Sequence, residues 1–219
     1  MQANYVQRIR LTIGKSGSAR FIGHLDLART MERAINRARI PIAYTQGFNK
    51  RPRMQFADAL PLGFTSECEM VDLWLGQIIE LQETEDRLES ALPDGIDLYS
   101  VCEVDISETP LQNQTESATY RVRPGENISS EELQERISEL LQLSALQRER
   151  RDKAYDLRPR IHSLSLSQNA GERMEIMMDL SLAPGEIGRP DEVLLALDLD
   201  PLSADIHRTR LTLAIDGNS

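Results

Sequence analysis

Arg8-Ile9-Arg10-Leu11-Thr12-Ile13 alternates polar and apolar side chains, and this run decides how the rest of the chain is read. Successive side chains of a strand point to opposite faces. Ile9, Leu11 and Ile13 therefore mark a face toward a core, and Arg8, Arg10 and Thr12 a basic outer face. A Gly/Ser-rich connection, Gly14-Lys15-Ser16-Gly17-Ser18, leads to a helix from about His24 to Arg39, in which Leu27, Met31, Ala34, Ile35 and Ala38 recur at helical spacing. Pro41 ends that helix, and Ile40, Ile42 and Tyr44 start a short strand. Strands over 53–58 and 66–76, a helix near 84–92 capped by Thr84, and a strand over 96–105 complete a β-α-β-β-α-β order. That order is the split pattern of a ferredoxin-like sandwich.

The order then recurs. Tyr120 and Val122 suggest a strand, and Ser129-Ser130-Glu131-Glu132 is a capping box before a helix bearing Leu133, Ile137, Leu140 and Leu141. Strands near 158–166 and 173–182 follow; in the second, Met174, Ile176, Met178, Leu180 and Leu182 alternate with polar residues or methionine. Pro190-Asp191-Glu192 opens a helix through Leu197, and 205–215 is the last strand. The expectation is an α+β chain of two tandem ferredoxin-like sandwiches. They occupy residues 1–106 and 118–219, joined by a polar, unperiodic linker over 107–117.

Charge is unevenly spread. Residues 1–55 hold eleven Lys or Arg against two acids, Asp26 and Glu32, while the whole chain has a net charge of −10. A net-acidic protein that concentrates its cations in one stretch is equipped to meet an anion, and nucleic acid is the commonest polyanion in a cell. No apolar run is long enough to cross a bilayer, and the first residues carry no signal-peptide pattern, so the expected compartment is the cytoplasm. Cys68 and Cys102 have no metal-site spacing and read as a reduced, buried pair; neither a metal nor a cofactor is expected.

The loop Thr45-Gln46-Gly47-Phe48-Asn49-Lys50-Arg51-Pro52-Arg53 is the most specific candidate site. Phosphates need cations and bases need π-faces. Asn49, Lys50, Arg51 and Arg53 can supply donors, and Phe48 a stacking platform or a cover for the core. Arg29, Arg33 and Arg37 stand four apart and form a stripe along the first helix. Strand and helix faces of such a sandwich point apart, so these cations cannot all share one surface. A second basic cluster, Arg148, Arg150, Arg151, Lys153, Arg158 and Arg160, with His207-Arg208-Thr209-Arg210, either extends a groove or protects sheet edges. No nucleophile-elbow, zinc-helix or P-loop pattern is present.

Three N-terminal strings carry a resemblance: Phe21-Ile22-Gly23-His24-Leu25-Asp26-Leu27, Ile42-Ala43-Tyr44-Thr45-Gln46-Gly47-Phe48-Asn49, and Leu60-Pro61-Leu62-Gly63. Three more lie in the second half: Asp156-Leu157-Arg158-Pro159, Arg189-Pro190-Asp191-Glu192-Val193-Leu194 and Ile206-His207-Arg208-Thr209. Together they resemble the radical-SAM-associated (radical-SAM-linked) proteins of bacteria, encoded beside or fused to a radical SAM protein. The resemblance implies a radical SAM enzyme as partner, with the cluster and S-adenosylmethionine belonging to that enzyme. Members of that family often read Asn-Pro-His-Pro after the Gly-Phe. Asn49-Lys50-Arg51-Pro52 stands here instead, which removes a histidine-dependent role at that position and leaves a phosphate-contacting one.

The expected function is that of a non-catalytic accessory protein, binding or presenting RNA through Arg29, Arg33, Arg37, Phe48, Asn49, Lys50, Arg51 and Arg53. The tandem architecture is also similar to RNA-processing proteins of the CRISPR repeat-cleaving type. On that alternative His24, Tyr44 and Lys50 would supply acid–base groups for a metal-independent endoribonuclease. A third alternative is a protein–protein adaptor.

Overall fold

In strand β1 (Gln7–Lys15) the alternation is realised: Ile9, Leu11 and Ile13 are fully buried. The computed structural model describes residues 5–46, 49–125, 127–150, 152–168 and 174–214. The fold is mixed α+β and divides into two compact units, Met1–Gln114 and Thr115–Ser219.

In the first unit β1 is followed by a 3-10 turn (Gly17–Phe21), helix α1 (His24–Arg37), strands β2 (Met54–Phe56) and β3 (Thr65–Leu75), helix α2 (Leu81–Glu89) and strand β4 (Ile96–Val104). The strand order is β4-β1-β3-β2, every neighbour antiparallel, with Ile9 opposite Leu73 and Leu11 opposite Val71. Leu27, Met31 and Ile35 of α1 and Leu88 of α2 pack on Ile9, Leu11, Ile13, Val71, Leu73 and Leu75. Each such fully buried aliphatic side chain contributes about 1.5–3 kcal/mol of transfer free energy. Asp26 complements the N-terminal turn of α1, and Arg39 at φ 53° takes the left-handed position just past its end, before Pro41.

Four expectations are corrected in this unit. Ile40–Tyr44 is no strand; only the isolated bridges Ile42 to Leu75 and Tyr44 to Pro52 form, because Pro41 and Pro52 have no N–H to continue a ladder. Thr84 is not a cap: α2 starts at Leu81, and the buried Thr84 hydroxyl donates back to the Glu80 carbonyl at 3.1 Å. Cys102 is exposed, whereas Cys68 is buried, and neither forms a disulfide.

The fourth concerns the outer face of β1. Arg8 is 1% exposed and Asp72 fully buried, and Arg8 Nε and Nη2 donate to Asp72 Oδ2 at 3.0 and 2.5 Å. Arg8 also donates to the carbonyls of Asp105, Glu108 and Thr109. Arg10 binds both Asp72 oxygens and, at 2.9 Å, Glu108 Oε1. The residues read as a free linker are therefore a strap over this sheet face. Leu111 is fully buried within it, Gln114 Nε2 holds Glu108 and Thr109, and Thr115 already begins a strand.

In the second unit strand β5 (Thr115–Arg123) leads to helix α3 (Ser130–Gln142), strands β6 (Gln147–Arg150) and β7 (Lys153–Asp156), a 3-10 turn (Arg158–Arg160), strands β8 (Ile161–Gln168) and β9 (Met174–Ser181), helix α4 (Pro190–Ala196) and strand β10 (Asp205–Leu213). The order is β10-β5-β9-β8, again antiparallel, and β6 and β7 pair as a separate hairpin. Ser129 Oγ accepts the Glu132 amide at 3.1 Å, as the capping motif requires. Ile176, Met178, Leu180 and Leu182 are buried, and so are Leu133, Ile137 and Leu140.

Candidate nucleic-acid interface

The helical spacing of Arg29, Arg33 and Arg37 puts all three on the exposed side of α1, opposite the residues that enter the core. They differ in how free they are. Arg29 Nη1 meets Asp26 Oδ1 at 3.1 Å in an exposed pair, which contributes little and holds neither group firmly. Arg37 Nη2 donates to the Ala91 carbonyl at 2.5 Å, tying the end of α1 to the end of α2. Arg33 makes no ion pair among the described residues. Arg33 and Arg37 share a cleft of about 320 Å³ with Ser18, Thr30 and Asp94.

The loop after α1 is pinned at its base. The Thr45 amide donates to the Arg51 carbonyl at 2.8 Å, the Arg51 amide to Thr45 Oγ1 at 3.0 Å, and the Arg53 amide to the Ala43 carbonyl at 2.7 Å. Asn49, Lys50 and Arg51 are exposed between these ties. Gly47 and Phe48, the expected stacking platform, lie outside the described residues. Arg53 is held differently: its guanidinium lies 4.4 Å from the Tyr5 ring centroid and 5.1 Å from that of Trp74. Trp74 neighbours Asp72 on β3, and its ring also lies 4.8 Å from the Arg8 guanidinium, so Arg53 belongs to the sheet face opposite the helices. The stripe on α1 and Arg53 do not share a surface.

Of the catalytic candidates His24, Tyr44 and Lys50, the first two are not brought together, and Lys50 stands exposed on the loop. The His24 ring packs edge-on against Phe56 with centroids 5.1 Å apart at the start of α1. Tyr44 donates to Asn36 Oδ1 near the other end of the same helix. Twelve residues of helix separate the two anchors, about 18 Å at 1.5 Å per residue. No single reacting atom lies within hydrogen-bond reach of both. Although its surface is exposed, partial desolvation by its neighbours pushes the Cys102 thiol up, against the pull of Arg10, so it is a poor nucleophile at neutral pH. Among the described residues no three His, Cys, Asp or Glu side chains are grouped to hold a metal ion, and no helix is long and apolar enough to cross a membrane.

The second unit contains a larger constellation that the sequence only hinted at. Arg150, Lys153, Tyr155, Arg160, Ile187 and Arg189 line a cleft of about 650 Å³. Burial first, and Glu192 after it, pushes the Tyr155 phenol up, so it stays protonated at neutral pH. Other members of the basic cluster are structural. Arg158 donates to the Ile161 and Leu141 carbonyls, and Arg208 is fully buried beside Tyr120. Arg151 lies outside the described residues.

The sequence over residues 8–190 matches the family described as "Uncharacterized protein conserved in bacteria (DUF2344)". The chain belongs to that family. A comparison with curated protein sequences returns no match. Among solved structures, a chain of the "Crystal Structure of a Cbf5-Nop10-Gar1 Complex" is similar at 10% identity with a TM-score of 0.50, over 94% of this chain and 50% of that one. A chain of the "Crystal structure of the archaeal box H/ACA sRNP Nop10-Cbf5 complex" is similar at 9% identity with a TM-score of 0.45, over 95% and 49%. The protein thus spans about half the length of these neighbours, and the first likeness concerns the fold alone.

Proposed function

We propose that this family member is a non-catalytic RNA-binding accessory protein. It holds RNA phosphates along the exposed side of α1 and the loop that follows, in the cytoplasm. The observation that carries the reading is Arg33, which has no ion-pair partner among the described residues and lines one cleft with Arg37. Lys50 and Arg51 stand exposed on the adjoining loop. Arg29 and Arg53 are secondary contributors, because Asp26 and the Tyr5 and Trp74 rings already engage them. Both units are read as ferredoxin-like sandwiches, a reading supported by the antiparallel orders β4-β1-β3-β2 and β10-β5-β9-β8. The enzyme it serves is a radical SAM protein, as the sequence resemblance implies.

Phosphate-dominated binding weakens steeply with salt, with a slope set by the number of contacts. The test is binding of purified protein to total tRNA between 50 and 300 mM KCl, for the native chain and for Arg33→Glu with Arg51→Glu. A steep salt dependence that the double variant flattens supports the reading. Absent or salt-insensitive binding overturns it.

A second reading, a protein–protein adaptor, is favoured by Phe21, Leu25 and Leu62, which are 70%, 73% and 63% exposed. Reciprocal hydrogen bonds between Arg20 and Gly63 bring the turn bearing Phe21 against the loop bearing Leu62. Large apolar side chains left in water near one another mark contact surfaces. Co-purification of a protein partner without RNA, lost in Phe21→Ser with Leu62→Ser, would select this reading.

A further inference from the structure

The β6–β7 hairpin puts two cations face to face. Arg150 and Lys153 are paired across the ladder at its turn, where Asp152 takes φ 61°. Like charges directly opposite one another destabilise a hairpin. Neither residue has an ion-pair partner among the described residues; Glu192 and Asp191 act on the same site only from a distance, through their charge on Tyr155. The rest of the lining is also basic. Arg160 is fixed by its Nη1 donating to the Ile187 carbonyl at 3.0 Å and by its guanidinium lying 4.4 Å from the Tyr155 ring centroid. Arg189 is the one cation here with an internal counter-charge, a two-pronged pair with Asp191 at 2.9 and 3.1 Å. In a chain with a net charge of −10, this cleft keeps the charge of Arg150, Lys153 and Arg160 unneutralised by ion pairing.

We propose that this cleft binds the phosphodiester backbone of single-stranded RNA. The inference rests on the reading of the protein as RNA-binding, and assigns a second, separate contact surface to it. Several cations lining one cleft suit a linear polyanion held along it. The described lining is four cations with Ala154, Tyr155 and Ile187, so the grip is chiefly on phosphate. Its volume of about 650 Å³ lies within the range of ligand clefts and admits more than one phosphate. Tyr155 offers an apolar wall rather than a free stacking platform, since Arg160 already covers its ring.

The test uses the full chain and a fluorescein-labelled twelve-nucleotide oligouridylate, followed by anisotropy across a salt series. Arg150→Glu with Lys153→Glu alters a hairpin with few core contacts. An unchanged thermal midpoint checks folding, and Lys153→Arg serves as the conservative control. Losing two single-strand phosphate contacts should lower the salt slope by about 1.4 and weaken binding at least tenfold at 100 mM salt. Lys153→Arg should bind as the native chain does. Unchanged affinity in the double charge reversal, with binding lost in Arg33→Glu with Arg51→Glu, overturns this proposal and leaves the first-unit reading standing. The opposite pattern supports the cleft and overturns the first-unit reading, and loss in both variants supports both. Micromolar displacement of the oligonucleotide by ATP would show a nucleotide pocket and overturn the backbone reading. An absence of binding by the native chain overturns both.

Discussion

Arg8 and Asp72 form a buried ion pair on the sheet face of the first unit that lies away from α1 and α2, with Nη2 and Oδ2 2.5 Å apart. Arg10 shares the same carboxylate through Nε at 2.8 Å. Part of the positive excess of residues 1–55 is therefore neutralised inside the protein and is not offered to any ligand. Such a cluster is costly to assemble and more costly to break, because removing one member strands the others in a low dielectric.

Asp72→Ala should accordingly destabilise the first unit by about 3–5 kcal/mol, read as a lower urea midpoint. Replacing Arg8 by Met and Asp72 by Leu together should cost less than Asp72→Ala alone, since Arg10 keeps Glu108. A double variant as damaged as the single one would show that packing, not charge, dominates.

Glu108 makes the strap sensitive to acid. Burial pushes its carboxyl up, but the hydrogen bonds from Gln114 and Arg10 outweigh this and hold it below its ordinary value. A carboxyl depressed in the folded state stabilises above its unfolded pKa, and that stabilisation is lost as pH falls through the folded pKa. Stability should therefore drop below about pH 4.5, the ordinary glutamate value, and Glu108→Gln should be less stable than the native chain at pH 7, by a margin that is smaller at pH 3. Chemical denaturation at the two pH values measures the difference.

Gly95 turns the chain into β4 at φ +83°, and a Cβ there would lie 2.7 Å from the Ser16 carbonyl oxygen. Ser16 also donates its amide to the Gly95 carbonyl at 2.8 Å, so the two segments cannot separate freely. Gly95→Ala combines left-handed strain with a backbone clash and should cost about 1–3 kcal/mol. Calorimetry should register it as a lowered melting temperature.

His24→Ala removes an edge-to-face contact with Phe56 and should cost about 0.5–1.5 kcal/mol. A structured RNA incubated in EDTA should stay intact with the native chain and the variant alike. Cleavage by the native chain that disappears in His24→Ala would sink the non-catalytic reading.

How far the sequence could be read follows from where its periodicity was strong. The alternation in β1 and β9 and the capping box before α3 each carried a local signal that tertiary packing did not overrule. The alternation in β1 could not reveal that Arg8 and Arg10 are covered, because a polar face looks the same whether it meets water or a strap arriving about a hundred residues later. The β6–β7 hairpin was illegible for another reason. Its strands are four residues each, built largely of charged side chains, and no apolar alternation announces them. The stripe on α1 was legible from its spacing alone, but the engagement of Arg53 by Tyr5 and Trp74 depends on long-range pairing that spacing does not encode.

The strap over β1 also sets an order of events during synthesis. Arg8 leaves the ribosome before its partners: the carboxylate follows 64 residues later and the carbonyls about a hundred. At about 5–20 residues per second, the first strand waits roughly 5–20 seconds before its guanidinium groups can be enclosed. Through that interval the outer face of this strand remains hydrated, and the first unit reaches its native form only after the strap has been translated.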